Sequence, residues 1–73
     1  MTNTVLLKKK IAQSGLKLTF IAQELGLSRT GLYNKNNNFR QFNQFEIDGL
    51  CRLLHIRSTR EKEAIFFARN VDA

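Results

Sequence analysis

Apolar positions along this chain recur at helical spacing, and strand-like alternation is weak. Leu7 and Ile11 stand four apart. Ile21, Ala22 and Leu25 make a stripe at i, i+1 and i+4, and Ile47, Leu50, Cys51 and Leu54 recur at i, i+3, i+4 and i+7. The pattern predicts one all-α domain over residues 1–73, with no proline, clear repeat or linker to divide it.

Capping and stop signals divide the chain into five helices. The first is expected over about Val5–Ser14, with Thr4 as its cap, Gly15 as its left-handed stop and Leu16 folding back. The second covers about Leu18–Leu25 and breaks at Gly26, with Leu27 plugging into the core. Ser28 caps the third, which runs to about Asn34 or Asn36. Lys35-Asn36-Asn37-Asn38 is a turn by composition, because asparagine tolerates positive φ. Phe39 and Phe42 are expected to fold this loop onto the domain.

The fourth helix is expected over about Gln44–His55. Asn43 and Glu46 form a capping-box variant at its start. The fifth covers about Thr59–Asn70, where Ser58 and Glu61 form what reads as the cleaner capping box. Ala64, Ile65, Phe66, Phe67, Ala68 and Val71 give this helix a broad apolar face. That face either completes the core or, through Ile65, Phe66 and Phe67, meets a dimer mate or another protein.

Residues 18–34 satisfy several steric demands together. Two helices that cross closely need a small residue at the crossing, and Ala22 supplies it. A left-handed turn four residues later needs glycine, and Gly26 supplies that. Ile21, Leu25, Leu27 and Leu32 tie both helices to the rest. The first turn of the following helix is polar, with Ser28, Arg29 and Thr30. This is how a helix-turn-helix presents a reading head to the major groove of DNA.

The charge distribution agrees with that reading. The formal net charge is +6. Residues 1–45 carry Lys8, Lys9, Lys10, Lys17, Arg29, Lys35 and Arg40 against Glu24 alone, and the remaining residues balance. The excess therefore lies beside the candidate head, where a polyanion is the direct partner. The bland alternative is a solvated basic face that keeps a small protein soluble.

Other classes find little support. A chain this short buries about 60% of its unfolded surface, so it depends on good helix packing or a partner. Cys51 has no disulfide mate and reads as a small core residue, which suits a reducing cytoplasm. The lysine-containing start has no long apolar run behind it, so neither a signal peptide nor a membrane span is expected. His55 stands alone at a helix end and reads as a cap on the helix carbonyls. No nucleophile–base set, phosphate loop or zinc spacing is present. We expect neither enzymatic activity, nor a cofactor, nor a metal.

At Gly15-Leu16 and Ile21-Ala22-Gln23-Glu24-Leu25-Gly26-Leu27-Ser28 the chain resembles the Cro/repressor (XRE-type) family of phage and bacterial regulators. The turn at Asn36–Asn38 and the run Leu53-Leu54-His55-Ile56 fall where that family has its loop and fourth helix. The resemblance covers about residues 5–56. The small size and Phe-rich tail look most like the short Cro-type or repressor-modulating proteins of temperate phages of Gram-positive bacteria. It implies a regulator of a lysis/lysogeny-type switch that binds double-stranded operator DNA as a dimer. Its base-reading positions would be Ser28, Arg29, Thr30, Tyr33 and Asn34. Lys17, Lys35, Asn36, Asn38 and Arg40 would meet phosphates. Arg29 suits guanine and Asn34 suits adenine, whereas Thr30 and Tyr33 suit a thymine methyl or a phosphate.

Three positions depart from the family. Lys17 and Leu18 stand where Thr-Gln is common, Gly31 lies inside the reading helix, and the loop is three asparagines. These imply a softer reader than a dedicated repressor. A second reading follows, in which the scaffold docks onto the cognate phage repressor and alters its DNA binding.

Overall fold

Asn3, one residue earlier than expected, starts the first helix. The computed structural model describes residues 1–68, and in it the Asn3 Oδ1 accepts from the Leu6 N–H at 3.1 Å. Thr4 is already helical. The elements are α1 (Thr4–Ser14), α2 (Leu18–Glu24), α3 (Arg29–Asn36), α4 (Gln44–Leu53) and α5 (Thr59–Phe66). The fold is all-helical and compact, with no strand among the described residues.

Three helices end in the same way. The Gly26 N–H donates to the Gln23 carbonyl and the Leu27 N–H to the Ala22 carbonyl, with Gly26 at φ 70°. This double bond around a left-handed residue satisfies carbonyls that the helix end would otherwise leave open. Asn38 and Phe39 repeat it at the end of α3, donating to Lys35 and Asn34. His55 and Ile56 repeat it after α4, donating to Arg52 and Cys51. Asn38 (φ 63°) and His55 (φ 56°) therefore occupy a conformation that glycine usually takes.

Two expectations for α4 and α5 change as a result. α4 stops at Leu53 rather than His55, because His55 is the left-handed residue that closes it. His55 does so through its backbone N–H, and its imidazole is exposed. α5 stops at Phe66 rather than Asn70. Asn70 and Val71, which the expected helix and its apolar face included, lie outside the described residues. The Ser58 Oγ accepts from the Glu61 N–H at 3.4 Å, but the Glu61 carboxylate turns to Lys10 at 2.9 Å. The complete capping box belongs to Asn43 and Glu46 instead.

The apolar positions close into one core. Leu7 and Ile11 of α1 meet Ile21, Ala22 and Leu25 of the second element and Leu32 of α3. Ile47, Leu50, Leu54, Ile56, Phe42, Ile65 and Phe66 complete the cluster. Leu16, Leu27 and Cys51 pack against it, half-buried. Phe42 meets Phe66 edge to face with ring centroids 6.0 Å apart, a geometry that aligns the ring quadrupoles.

Part of the α5 apolar face belongs to the core. Ile65 is 1% exposed and Phe66 is 3% exposed, so both are core and neither is available as a protein interface. Only Phe67 of that trio is presented to solvent.

Gly49 of α4 faces the Leu25 side chain that follows α2. A Cβ placed there would lie 2.6 Å from Leu25 Cδ2, so the two elements meet because this position has no side chain. Nothing in the helical spacing of α4 announces that contact.

Candidate nucleic-acid interface

α2 and α3 pack against each other through the Leu25–Ser28 turn, and α1 packs across α3. Lys17 precedes α2 without a side-chain cap, as the missing Thr-Gln pair predicts. Ser28 does cap α3: its Oγ accepts from the Gly31 N–H at 2.9 Å. The Ser28 hydroxyl oxygen is thereby engaged, although the residue stays exposed.

Gly31 gains a local reason from this cap. A Cβ at Gly31 would sit 3.2 Å from Ser28 Oγ and 3.8 Å from Leu27 Cδ2. The glycine that lowers helix propensity by about 1 kcal/mol relative to alanine also leaves room for the cap.

The outer face of α3 presents Arg29, Thr30 and Tyr33, all exposed, with Asn34 half-buried beside them. Leu32, between them in sequence, is buried. Tyr33 is 61% exposed and Phe39 is 69% exposed, with ring centroids 6.3 Å apart. Phe39 therefore stands out from the domain beside Tyr33 and does not fold the loop inward; Phe42 alone does that.

The asparagine loop is firmly held. Asn37 Nδ2 donates to the Tyr33 carbonyl at 2.8 Å, and Asn37 Oδ1 accepts from Lys8 Nζ at 2.7 Å. Asn38 makes a two-way bridge: its Oδ1 accepts from the Thr2 N–H at 3.0 Å and its Nδ2 donates to the Thr2 carbonyl at 2.7 Å. The segment before α1 is thus fastened to the loop after α3. The Asn3 N–H, donating to the Ile65 carbonyl at 2.6 Å, fastens the same segment to α5.

Three of the five expected phosphate contacts are consequently spent inside the protein. Lys35 is paired with Glu46 at 2.7 Å. Asn36 is 5% exposed and faces the interior. Asn38 holds Thr2. Lys17 and Arg40 remain exposed and have no ion pair among the described residues. Lys8 and Lys9 on α1 are also exposed, whereas Lys10 is paired with Glu61. Of the basic residues of 1–45, Lys9, Lys17, Arg29 and Arg40 are exposed with no ion pair among the described residues, as is Lys8, whose Nζ donates to Asn37; Arg52, Arg57 and Arg60 are exposed as well.

The burial of Asn36 was legible in its spacing, since it stands four residues after Leu32 on the same helix face. The Lys35–Glu46 pair had no such signal. Its partners are eleven residues apart on two elements whose angle no local pattern fixes.

Among the described residues, no group of three or more His, Cys, Asp or Glu side chains is placed to hold a metal ion. No helix there is long and apolar enough to cross a membrane. Burial pushes the Cys51 thiol above its ordinary pKa; Asp48 and Glu61 add to the shift and Lys62 opposes it. Cys51 is thus the reverse of an activated nucleophile. No protein-family model, curated protein or solved structure matches this chain.

Proposed function

We propose that residues 18–36 form a helix-turn-helix and that the chain is a transcriptional regulator reading operator DNA through α3. The observation that carries this reading is the exposure of Arg29, Thr30 and Tyr33 on a helix that the buried Leu32 ties to the core. Such a helix fits the major groove, where side chains reach base edges. The Gly26 turn and the closely packed Ala22 support it, since they set the angle at which α3 is held out.

Lys8, Lys9, Lys17 and Arg40 would supply the phosphate contacts. Each neutralised phosphate releases counterions, so affinity should fall steeply as salt rises. Two copies would read half-sites about 34 Å apart, one turn of the duplex. Arg29 would read guanine through its two-pronged donor set. The chain itself has no catalytic role in this reading.

The reading in which the chain docks on a repressor drew on the softened reading helix and on the apolar Ile65-Phe66-Phe67 tail. Two of those three tail residues are core, so the softened helix and Phe67 are what still favour it.

The test is a gel-shift assay of the purified chain at low salt, using promoter DNA from its own genetic locus against random duplex. The proposal predicts a preference for the locus DNA. Equal binding to both duplexes contradicts sequence reading.

A further inference from the structure

We infer that the exposed rings of Tyr33 and Phe39 are a stacking site for unpaired nucleobases, so that the chain also binds single-stranded nucleic acid. Both rings are more than half exposed. Their centroids lie 6.3 Å apart with the planes at 47° to one another, so neither ring covers the faces of the other. Large apolar side chains left side by side in water mark an interaction surface. The inference goes beyond the duplex reading and does not rest on it.

The backbone holds the pair in place. The Phe39 and Arg40 N–H groups donate to the Asn34 carbonyl at 2.8 and 3.3 Å. Asn37 Nδ2 donates to the Tyr33 carbonyl, and Asn38 fastens the same loop to Thr2. Rings presented on a fixed backbone lose little freedom when a ligand lands on them.

The charges around the pair select its occupant. Residues 25–45 carry Arg29, Lys35 and Arg40 and no acidic residue. Arg29 stands four residues before Tyr33 on the same side of α3. Arg40 follows Phe39 and is exposed with it. Lys8 Nζ reaches Asn37 Oδ1, on the side chain that holds Tyr33. Glu46, the next acidic residue, is buried against Lys35. A single strand joins flat bases to phosphates, and so matches rings set among cations. An apolar protein surface would leave those cations unmatched. A duplex fits the rings less well, because its stacked bases offer edges to the grooves rather than faces. Stacking tolerates any base, so DNA and RNA share the chemistry.

Tyr33 is the only tyrosine and the chain has no tryptophan, so its emission reports on this site directly. The test titrates the full chain with an end-labelled oligothymidylate of about 12 nucleotides, a length that single-strand sites cover. We expect saturable quenching of Tyr33. An abasic strand of equal length keeps the phosphates; by anisotropy it should bind about tenfold more weakly, and it should not quench. Phe39→Ala should weaken thymidylate binding by a similar factor, and Phe39→Trp should restore it. Neither variant should change the melting temperature or the affinity for the abasic strand, because Phe39 is exposed. Equal affinity for thymidylate and the abasic strand, or for thymidylate and its duplex with oligodeoxyadenylate, overturns the inference. An unchanged affinity in Phe39→Ala does so too. Dimers in sedimentation that Phe39→Ala abolishes, with no quenching by thymidylate, would give the rings to a second copy and overturn it as well. Oligouridylate run beside oligothymidylate tells RNA from DNA, the tighter being the ligand. Quenching without any preference for locus duplex would sink operator reading and leave this site standing. A locus preference without quenching would do the opposite.

Discussion

Lys35 Nζ lies 2.7 Å from both carboxylate oxygens of Glu46, and this pair ties the end of α3 to the start of α4. Glu46 does two things at once. One of its oxygens also accepts from the Asn43 N–H at 2.9 Å, closing the capping box. The side chains are largely removed from water, at 16% and 5% exposure. Breaking a buried pair leaves one charge desolvated without compensation. Lys35→Met and Glu46→Gln should each destabilise the fold by roughly 2–3 kcal/mol, below the range for a wholly buried pair because Lys35 keeps some water. Urea unfolding checks this. Lys17→Met, at an exposed position, should shift stability by less than about 0.5 kcal/mol.

The same pair sorts the lysines by function. Because Lys35 is spent on Glu46, its removal should leave the salt dependence of DNA binding unchanged under conditions where the variant is folded. Lys17→Ala should lower the slope of log affinity against log salt by about 1. A larger slope change for Lys35 than for Lys17 would reverse the assignment of phosphate contacts.

Gly49 and Gly31 should respond differently to alanine. At Gly49 the added methyl would meet Leu25 Cδ2 at 2.6 Å, and relieving such overpacking costs about 1–3 kcal/mol. At Gly31 the contact with Ser28 Oγ is 3.2 Å, and it opposes a helix-propensity gain of about 1 kcal/mol. Gly49→Ala should lower the melting temperature clearly. Gly31→Ala should leave it nearly unchanged.

Much of this architecture was legible along the chain. The stops at Gly15 and Gly26, the Ser28 cap and the Asn43–Glu46 box were all readable, because each depends on residues within four positions. The end of α5 was not. Apolar periodicity continues past Phe66, yet the Phe67 N–H closes on Glu63 and the Ala68 N–H turns to the Met1 carbonyl. Phe39 and Phe42 show the same limit in the loop after α3. Both are phenylalanines among polar neighbours, and only the path of the loop decides which one is buried.

His55 offers a stability gain. It holds φ 56° after α4 with an exposed side chain, a conformation that costs a side-chain-bearing residue roughly 1–2 kcal/mol. His55→Gly should raise stability by about 0.5–1 kcal/mol, since glycine also loses more freedom on folding. Asn38→Gly at φ 63° should not gain in this way, because it gives up both hydrogen bonds to Thr2.

The raised pKa of Cys51 sets a pH dependence. The folded chain holds the thiol protonated at pH values where the unfolded chain, with the ordinary thiol pKa of 9.0, has begun to ionise. Between those values the unfolded state binds fewer protons, so stability falls as pH rises above about 9. Below that range the Cys51 contribution is fully present. Alkylation of the native chain should be slow at neutral pH, and Cys51→Ala should flatten the alkaline fall.

The central claim is that α3 reads bases with Arg29. Its most direct measurement is the affinity ratio between locus-derived duplex and its scrambled form, by fluorescence anisotropy, for the parent chain and Arg29→Ala. The account predicts a parent ratio well above one that Arg29→Ala reduces by about 1–3 kcal/mol, the worth of one bidentate base contact. An unchanged ratio in Arg29→Ala, or a parent ratio of one at low salt, would contradict it.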